Sequence, residues 1–456
     1  MEIVVVGAGR VGEALCFDLI HEGHELTLID QKANLVLAMT EKMDLKGVVG
    51  NGTVPEIQRE ADVASCDVFI SATPVDEVNI VACIVASRFG AKHCIARIRN
   101  PEYTRGFDFR WESIGIDLMM NTEQQTAREI VEEFDFPNAN YVEPSTVEGV
   151  QIIKVRILPG STLAGMPVLN LRRHIAGVLI CVLQRGDQAP MIPRADMRLE
   201  GGDRVHVIGT KHDLDRFQNL AGHKNKGFRS VFIIGGGITA RYLIPLLLKR
   251  GITVRLIERD RKKAERLALE FPKANIVSGD GTDQGFLNEQ RLSHYDVSVA
   301  LTSVDEENLL FSLYAHRQGV RKTITRVTRS NLIPLLDAEC LDTIITPQHL
   351  LASSIIRYVR SLEITADSEI EDYHRLENGV AEAVTFKVKR DARIASKPLR
   401  TLQLKKNTII ALIKRGKRLI VPAGDDMVQE GDSVIVLGVG QSVRTLDSVL
   451  TGEAKP

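Results

Sequence analysis

Val4-Val5-Val6-Gly7-Ala8-Gly9-Arg10-Val11-Gly12 returns as Phe232-Ile233-Ile234-Gly235-Gly236-Gly237-Ile238-Thr239-Ala240, each copy an apolar run breaking into a glycine turn, at an offset of 228 positions. The correspondence between the copies holds far beyond the turns, at 228 positions as far as Asp30 and at 229 from Gly50 onward. Asp30 answers to Glu258, Gly50-Asn51-Gly52-Thr53 to Gly279-Asp280-Gly281-Thr282, Thr73 with Asp76-Glu77 to Thr302 with Asp305-Glu306, and Arg97 to Arg326. Toward the ends of the halves, Ile192-Pro193 and Gly202-Asp203 return as Val421-Pro422 and Gly431-Asp432. Solenoid repeats run about 20 to 50 residues, so a period this long marks a duplicated pair of domains. The second half therefore repeats a nucleotide-binding architecture and does not supply the substrate domain of an ordinary dehydrogenase.

Within the first half, residues 2–6 read as a strand buried on both faces, the kind a parallel sheet needs. Helices at 11–21, 32–42, 54–61 and 77–89 alternate with strands at 24–30, 45–49, 67–72 and 93–98, and a further helix covers 122–134. Such alternation with short connections is the signature of a doubly wound α/β sheet. From about 150 to 216 the texture changes to short alternating strands punctuated by Pro159-Gly160, Gly186-Asp187 and Gly201-Gly202, as a small α+β module requires. The chain thus divides into Rossmann-like domains at 1–136 and 229–362, each followed by a small domain, at 140–222 and 378–451. A polar linker at 222–227 separates the halves.

Gly7-x-Gly9-x-x-Gly12 stands where a dinucleotide fingerprint belongs, between a strand and a helix. Its glycines allow a tight turn, close approach of backbone to pyrophosphate and close helix packing, and the helix N-terminus offers N–H groups. Asp30, ending the second strand, is placed to accept bonds from ribose hydroxyls and to repel a 2′-phosphate, which favours NAD or an adenosine nucleotide over NADP. The second copy, Gly235-x-Gly237-x-x-Ala240 with Glu258, is a permitted variant, and is either a second nucleotide site or a vestige of one. Arg10 either reaches terminal phosphate oxygens or is simply solvated; Ile238 replaces it in the second half. Asp76-Glu77 and Asp305-Glu306 either cap the helices they begin or border the crevice, beside Thr73 and Thr302. Arg97 and Arg326 contact phosphate or pair with local acids. The basic helix at 260–271 reads as a solvated face.

Composition narrows the class. Hydrophobic residues make up 44% and charged ones 26% of 456 residues, ordinary for a chain with real cores. Lys plus Arg, at 58, balances Asp plus Glu, at 59, so there is no charge footprint for nucleic acid. The six cysteines, at 16, 66, 83, 94, 181 and 340, form no C-x-x-C pair and read as buried thiols of a reducing cytoplasm. Met1-Glu2 leads directly into the first strand without room for a signal peptide, and the longest apolar stretch, 175–183, falls well short of the roughly 18 residues that span a bilayer. No spacing of nucleophile, base and metal ligand marks a catalytic or metal site. The alternative to a binding protein is an NAD-dependent oxidoreductase.

The doubled glycine motif, Thr73 to Asn79, Ala96-Arg97-Ile98-Arg99-Asn100-Pro101-Glu102-Tyr103, Thr302 to Asn308, Ile345-Thr346-Pro347-Gln348 and Gly379-Val380-Ala381-Glu382-Ala383 together resemble the TrkA family of Trk-type potassium uptake regulatory proteins, along essentially the whole chain. The resemblance implies two RCK (regulator of K⁺ conductance) units, each a Rossmann-like domain with a small C-terminal module. It implies a cytoplasmic homotetrameric ring, peripherally attached to the membrane through a potassium-transporting subunit of the TrkH/TrkG kind, which it gates in response to NAD(H) and ATP or ADP. By motif, Gly7, Gly9, Val11, Gly12 and Asp30 would hold nucleotide, Asn51, Gly52 and Thr53 with their counterparts Asp280 and Gly281 would lie beside adenosine, and Arg97, Arg99 and Arg326 would lie near phosphate. Thr328 stands where the second copy would match Arg99.

Overall fold

The computed structural model describes residues 1–104, 110–136, 139, 141–144, 147, 149–186, 188–223, 227–329, 332, 341–363, 370–376, 380–440, 443 and 445–451. Pro137, Asn138 and Asn140 at the expected first domain boundary lie outside these residues, as do Asp187, positions 224–226 of the expected linker, Cys340 and Gly379.

The first sheet domain runs β1 (Glu2–Val6), α1 (Arg10–His21), β2 (Glu25–Asp30), α2 (Ala33–Lys42), β3 (Lys46–Val49), α3 (Pro55–Glu60), β4 (Val68–Ser71), α4 (Asp76–Phe89), β5 (His93–Arg97), α5 (Pro101–Thr104), β6 (Leu118–Met120) and α6 (Thr122–Glu133). Its strands are parallel in the order β3-β2-β1-β4-β5-β6. β1 lies between β2 and β4, which explains why Ile3, Val4, Val5 and Val6 are all apolar and all buried. The strand order reverses between β1 and β4, and at such a switch point the carboxyl ends of the strands border a ligand crevice. α1 lays Gly12, Leu15, Cys16 and Leu19 on the sheet at helical spacing.

The first small domain comprises β7 (Tyr141–Pro144), β8 (Val150–Arg156), α7 (Leu171–His174), β9 (Val178–Gln184), β10 (Arg204–Thr210) and α8 (Lys211–Leu220), with an antiparallel sheet ordered β7-β8-β10-β9. The second sheet domain repeats the first: β11 (Ser230–Ile234), α9 (Ile238–Lys249), β12 (Thr253–Glu258), α10 (Arg261–Glu270), β13 (Asn275–Ser278), α11 (Gln284–Glu289), β14 (Val297–Ala300), α12 (Asp305–Arg317), β15 (Lys322–Arg326), β16 (Thr343–Ile345) and α13 (Pro347–Glu363), with a parallel sheet ordered β13-β12-β11-β14-β15-β16. The second small domain has β17 (Ile370–Leu376), β18 (Ala381–Lys387), β19 (Thr408–Arg415), β20 (Arg418–Ile420) and β21 (Ser433–Val439), antiparallel in the order β17-β18-β21-β19-β20.

Contacts gather like with like. The two sheet domains, Met1–Val131 and Phe228–Val359, form one compact unit, and Glu132–Gly227 with Arg360–Pro456 form another. Inside the first unit the halves are tied by polar contacts. The Tyr242 hydroxyl accepts from Asn121 Nδ2 at 2.8 Å and donates to the Arg99 carbonyl at 3.2 Å, and Gln125 Nε2 donates to Ser354 Oγ at 3.2 Å. Arg250 Nη1 donates to the Val131 carbonyl at 2.8 Å. In the second unit, β8 alternates with period two: Ile153 and Val155 join the core of their own domain, while Val150 and Ile152 join a core shared with Ala383, Leu412, Ile435 and Leu437.

Candidate functional site

The crevice at the end of β1 is built by glycine sterics. Gly7 adopts φ +109°, in the left-handed region that favours glycine, and a Cβ on Gly12 would stand 1.8 Å from the Gly7 carbonyl oxygen. Helix α1 therefore packs directly on the turn. Gly9 differs: a Cβ there would meet nothing within 4 Å. The space over Gly9, at the N-terminus of α1 where N–H groups lack intrahelical partners, is room for a pyrophosphate and is not filled by protein.

Asp30 is held at the rim by two backbone donors, Ala8 N to Oδ2 at 2.7 Å and Lys32 N to Oδ1 at 2.8 Å. Each oxygen keeps a lone pair for a further donor. Asn51 braces the next loop, accepting from Thr53 N at 3.0 Å and Thr53 Oγ1 at 2.9 Å.

A cavity of about 660 Å³ opens over these residues, within the roughly 300 to 1,000 Å³ usual for a cofactor site. It brings together Gly7, Gly9, Arg10, Val11, Asp30, Asn51, Gly52, Thr73, Arg97 and Arg99. Gly12, Thr53 and Asp76 do not line it. Its far wall comes from the other half of the chain: Arg326, Thr328, Pro347 and Gln348. Arg326 thus lines the first crevice, while its Nη1 reaches the Thr302 carbonyl of its own domain at 3.4 Å. Leu35, Thr122 and Glu123 also line the cavity; sequence spacing did not single them out, although Leu35 is recognisable as an apolar residue just after the acid.

One end of the cavity is a cluster of arginines with one acid inside. Arg97 Nη2 lies 3.5 Å from Glu123 Oε1, and Arg97 Nε donates to Thr122 Oγ1 at 3.3 Å. Glu123 Oε2 and Arg326 Nε are buried without hydrogen-bond partners. Burial pulls the Arg97 guanidinium below its ordinary range; Glu123 and Asp76 pull it back up, and Arg99 and Arg326 add to the depression. Burial lowers Arg326 likewise, against Glu123 and Asp305, with Arg10 on the lowering side. This end of the cavity favours an anion. Arg10 Nη1 spans the halves, donating to Thr328 Oγ1 at 2.6 Å.

Two side chains set the arginine loop. Asp76, 7% exposed, accepts from Arg99 N at 2.9 Å and Asn100 N at 2.8 Å, so its carboxylate fixes the loop after β5 and makes no cap bond for α4. Asp305 does the same for Thr328 N at 3.0 Å and Arg329 N at 2.9 Å. Asn79, fully buried, accepts from Thr73 N at 2.9 Å and donates to the Arg97 carbonyl at 2.7 Å, and Asn308 repeats this with Thr302 N at 2.9 Å and the Arg326 carbonyl at 3.0 Å.

The second crevice has the same frame and different chemistry. Gly235 takes φ +92°, and a Cβ on Gly237 would again meet nothing within 4 Å. Ala240 is buried under the turn. Asp280 accepts from Thr282 N at 2.9 Å, as Asn51 does from Thr53, and a Cβ on Gly281 would press on Ile234 just as one on Gly52 would on Val6. Glu258 takes Gly236 N at 2.9 Å and Asp260 N at 3.0 Å, but Lys263 Nζ also lies 2.8 Å from its Oε2. Burial raises the Glu258 carboxyl, yet Lys263 and the two N–H donors outweigh it and hold it below the usual range.

Cys16, Cys66, Cys83, Cys94 and Cys181 are free and buried. Burial pushes the Cys16, Cys66, Cys94 and Cys181 thiols up to about 12, which keeps them protonated packing groups. Among the described residues no His/Cys/Asp/Glu group could hold a metal, and no helix is long and apolar enough to cross a membrane.

Two Rossmann-like domains, each followed by an antiparallel companion, with a crevice at the switch point, define a tandem RCK protein. The TrkA-N domain model matches residues 3–122 and 231–347, and the TrkA-C domain model matches 152–222 and 383–451. The Trk system potassium uptake protein TrkA of Haemophilus influenzae is 29% identical over 445 residues, 96% of this chain and 95% of that protein. The Trk system potassium uptake protein TrkA homolog 1 of Methanosarcina mazei is 30% identical over 455 residues, 98% of this chain and 99% of its own length. Among solved structures, the GsuK RCK domain superposes with a TM-score of 0.62 at 17% identity, over 96% of this chain and 92% of that one. The GsuK channel bound to NAD gives 0.60 at 17% identity, over 96% and 76%. The chain belongs to the TrkA family of Trk system potassium uptake proteins.

Proposed function

We propose that this chain is the nucleotide-sensing subunit of a Trk potassium uptake system, holding NAD(H) or ATP/ADP between its two sheet domains and, as a homotetrameric ring on the cytoplasmic side, gating a membrane potassium-transporting subunit. The observation that carries the reading is the composite cavity, in which Arg326 from the second half faces the Gly7–Gly12 turn and Asp30 of the first. When bound, an adenosine nucleotide supplies a ribose diol at one end and phosphate charge at the other. Asp30 would accept the ribose hydroxyls, Asn51 and Gly52 would wall the adenosine, Gly9 and Val11 would admit the phosphates to the N-terminus of α1, and Arg10, Arg97, Arg99 and Arg326 would neutralise them. Thr73 closes the wall beside the turn, and Asp76 positions Arg99 without touching ligand.

A ligand that touches both halves can prefer one arrangement of them, which is what gating requires. Shifting an equilibrium from 1:99 to 99:1 takes about 5.5 kcal/mol of differential binding. Shared among the four copies of a ring, that is on the order of 1.4 kcal/mol per copy, an ordinary coupling energy. The ring itself is supported by repeated apolar points: Val81 on α4 and Leu310 on α12, at matching positions of the two halves, are 46% and 67% exposed. For the oxidoreductase alternative, the cavity lining offers no Ser, Cys, His or Tyr, and of its acids and lysine, Asp30 is held by two backbone N–H donors and Glu123 faces Arg97. That lining suits binding better than bond-making.

Calorimetry with NADH and with ATP, on the wild type and Asp30→Ala, tests the site, and potassium flux in vesicles containing the membrane partner tests the output. Asp30→Ala should bind more weakly, and flux should change with nucleotide only when this chain is present. Unchanged affinity in the variant would remove Asp30 from the site; flux indifferent to nucleotide would end the gating reading, and substrate-dependent NADH turnover would favour the enzyme.

A further inference from the structure

We infer that Lys263 bars nucleotide from the second crevice, so that each chain has one nucleotide address, in the first half, and the second half serves that address as its far wall. The inference rests on the nucleotide reading above and narrows it to one of the two turns. Position 263 answers to Leu35: both lie in the first turn of the helix that follows the acid-ending strand, α10 and α2. Leu35 gives the first cavity an apolar wall beside Asp30, the surface an adenine ring needs. In the second half the same position carries an ammonium 2.8 Å from Glu258 Oε2.

The two acids are otherwise held alike. Each receives the N–H of the residue after the first glycine, Ala8 or Gly236, and the N–H two residues after itself, Lys32 or Asp260. Only Glu258 has a third partner, and it is only 8% exposed. A ribose entering there would have to displace the Lys263 ammonium from a largely buried carboxylate, exchanging a pair in which both partners are charged for a bond whose donor is neutral. Asp30 imposes no such cost.

The phosphate end agrees. Ile238 stands where the first half has Arg10, and Thr328 where it has Arg99. The Thr328 hydroxyl lies 2.9 Å from Asp305, which occupies it. Arg326, the cation the second half retains, lines the first cavity. One crevice is thus furnished with cations from both halves, and the other has a neutralised acid and two lost cations.

The test is binding stoichiometry on the full chain, by calorimetry with ADP and with NADH. The wild type should bind one equivalent per chain, Glu258→Ala should keep its affinity, and Asp30→Ala should weaken it. Lys263→Leu, which restores the residue type of the first half and frees Glu258, should add a second, weaker equivalent. Two equivalents in the wild type, loss of one in Glu258→Ala, or a Lys263→Leu protein that still binds only one would overturn the inference. Absence of any binding by the wild type would instead refute the nucleotide reading itself.

Discussion

Replacing Arg326 with Gln separates a cavity shared by two halves from a pocket that belongs to one. In the structure Arg326 Nη1 reaches the Thr302 carbonyl at 3.4 Å, and Nε is buried without a partner. The guanidinium has little bonding of its own to lose, and its charge is available to a ligand. A hydrogen bond from a charged group to phosphate contributes about 1.5 to 3 kcal/mol, so Arg326→Gln should raise the nucleotide Kd by roughly 10- to 150-fold. At a ligand concentration 100 times the wild-type Kd, binding stabilises the fold by about 2.7 kcal/mol; after a 30-fold loss of affinity, about 0.9 kcal/mol remains at that concentration. Most of the nucleotide-induced rise in Tm should disappear. The ligand-free Tm should hardly move, because the weak 3.4 Å bond is replaceable by an amide and a buried unpaired Nε is removed. Differential scanning fluorimetry with and without ADP, together with calorimetric Kd values, reads both quantities. An unchanged Kd would refute the shared cavity, and a large fall in ligand-free Tm would show that Arg326 is a structural group.

The two glycines of the first turn should fail differently. Gly12→Ala forces a Cβ against the Gly7 carbonyl and should cost about 1 to 3 kcal/mol of stability as overpacking, whereas Gly9→Ala, with open space around it, should keep its ligand-free Tm and lose nucleotide affinity; equal behaviour of the two in thermal melts would contradict this. Asn79→Ala leaves Thr73 N and the Arg97 carbonyl without their buried partner and should destabilise by about 3 kcal/mol, measurable by urea denaturation, with a neutral result ruling out the clamp. Glu258 is held below its ordinary value of 4.5, so the stability it contributes is present above that pH and is lost as pH falls through its lower folded value. Lys263→Leu should therefore be less stable than wild type near neutrality, and the gap should narrow on acidification below 4.5; a gap that stays constant from pH 7 to pH 3 would mean that the pair contributes nothing.

What could be read from residues alone was whatever neighbours along the chain decide. Four consecutive buried positions in β1, a glycine turn opening α1, and an acid closing β2 are local features, and the doubly wound parallel architecture of both Rossmann-like domains followed from them. The 228-residue offset carried that reading to the second half. Sequence alone leaves Asp76 between capping a helix and bordering a crevice because its partners, the N–H groups of Arg99 and Asn100, lie on a loop 23 and 24 residues away.

Packing between the sheet domains decided the rest. By position Arg326 reads as a contact to phosphate or to local acids, and the structure adds that it lines the crevice of the other half. Lys263 reads as one of several solvated cations on a basic helix, yet its ammonium lies on Glu258. For Lys263 the deciding fact is the local turn from β12 into α10, which brings its side chain back over the acid; for Arg326 it is which surfaces meet once the apolar faces are buried. That meeting depends on shape complementarity over many residues, which no single turn or spacing encodes. Sequence thus determined two nucleotide-type turns and the chemistry each carries; tertiary structure determined that one draws arginines from both halves while the other keeps its acid paired with lysine.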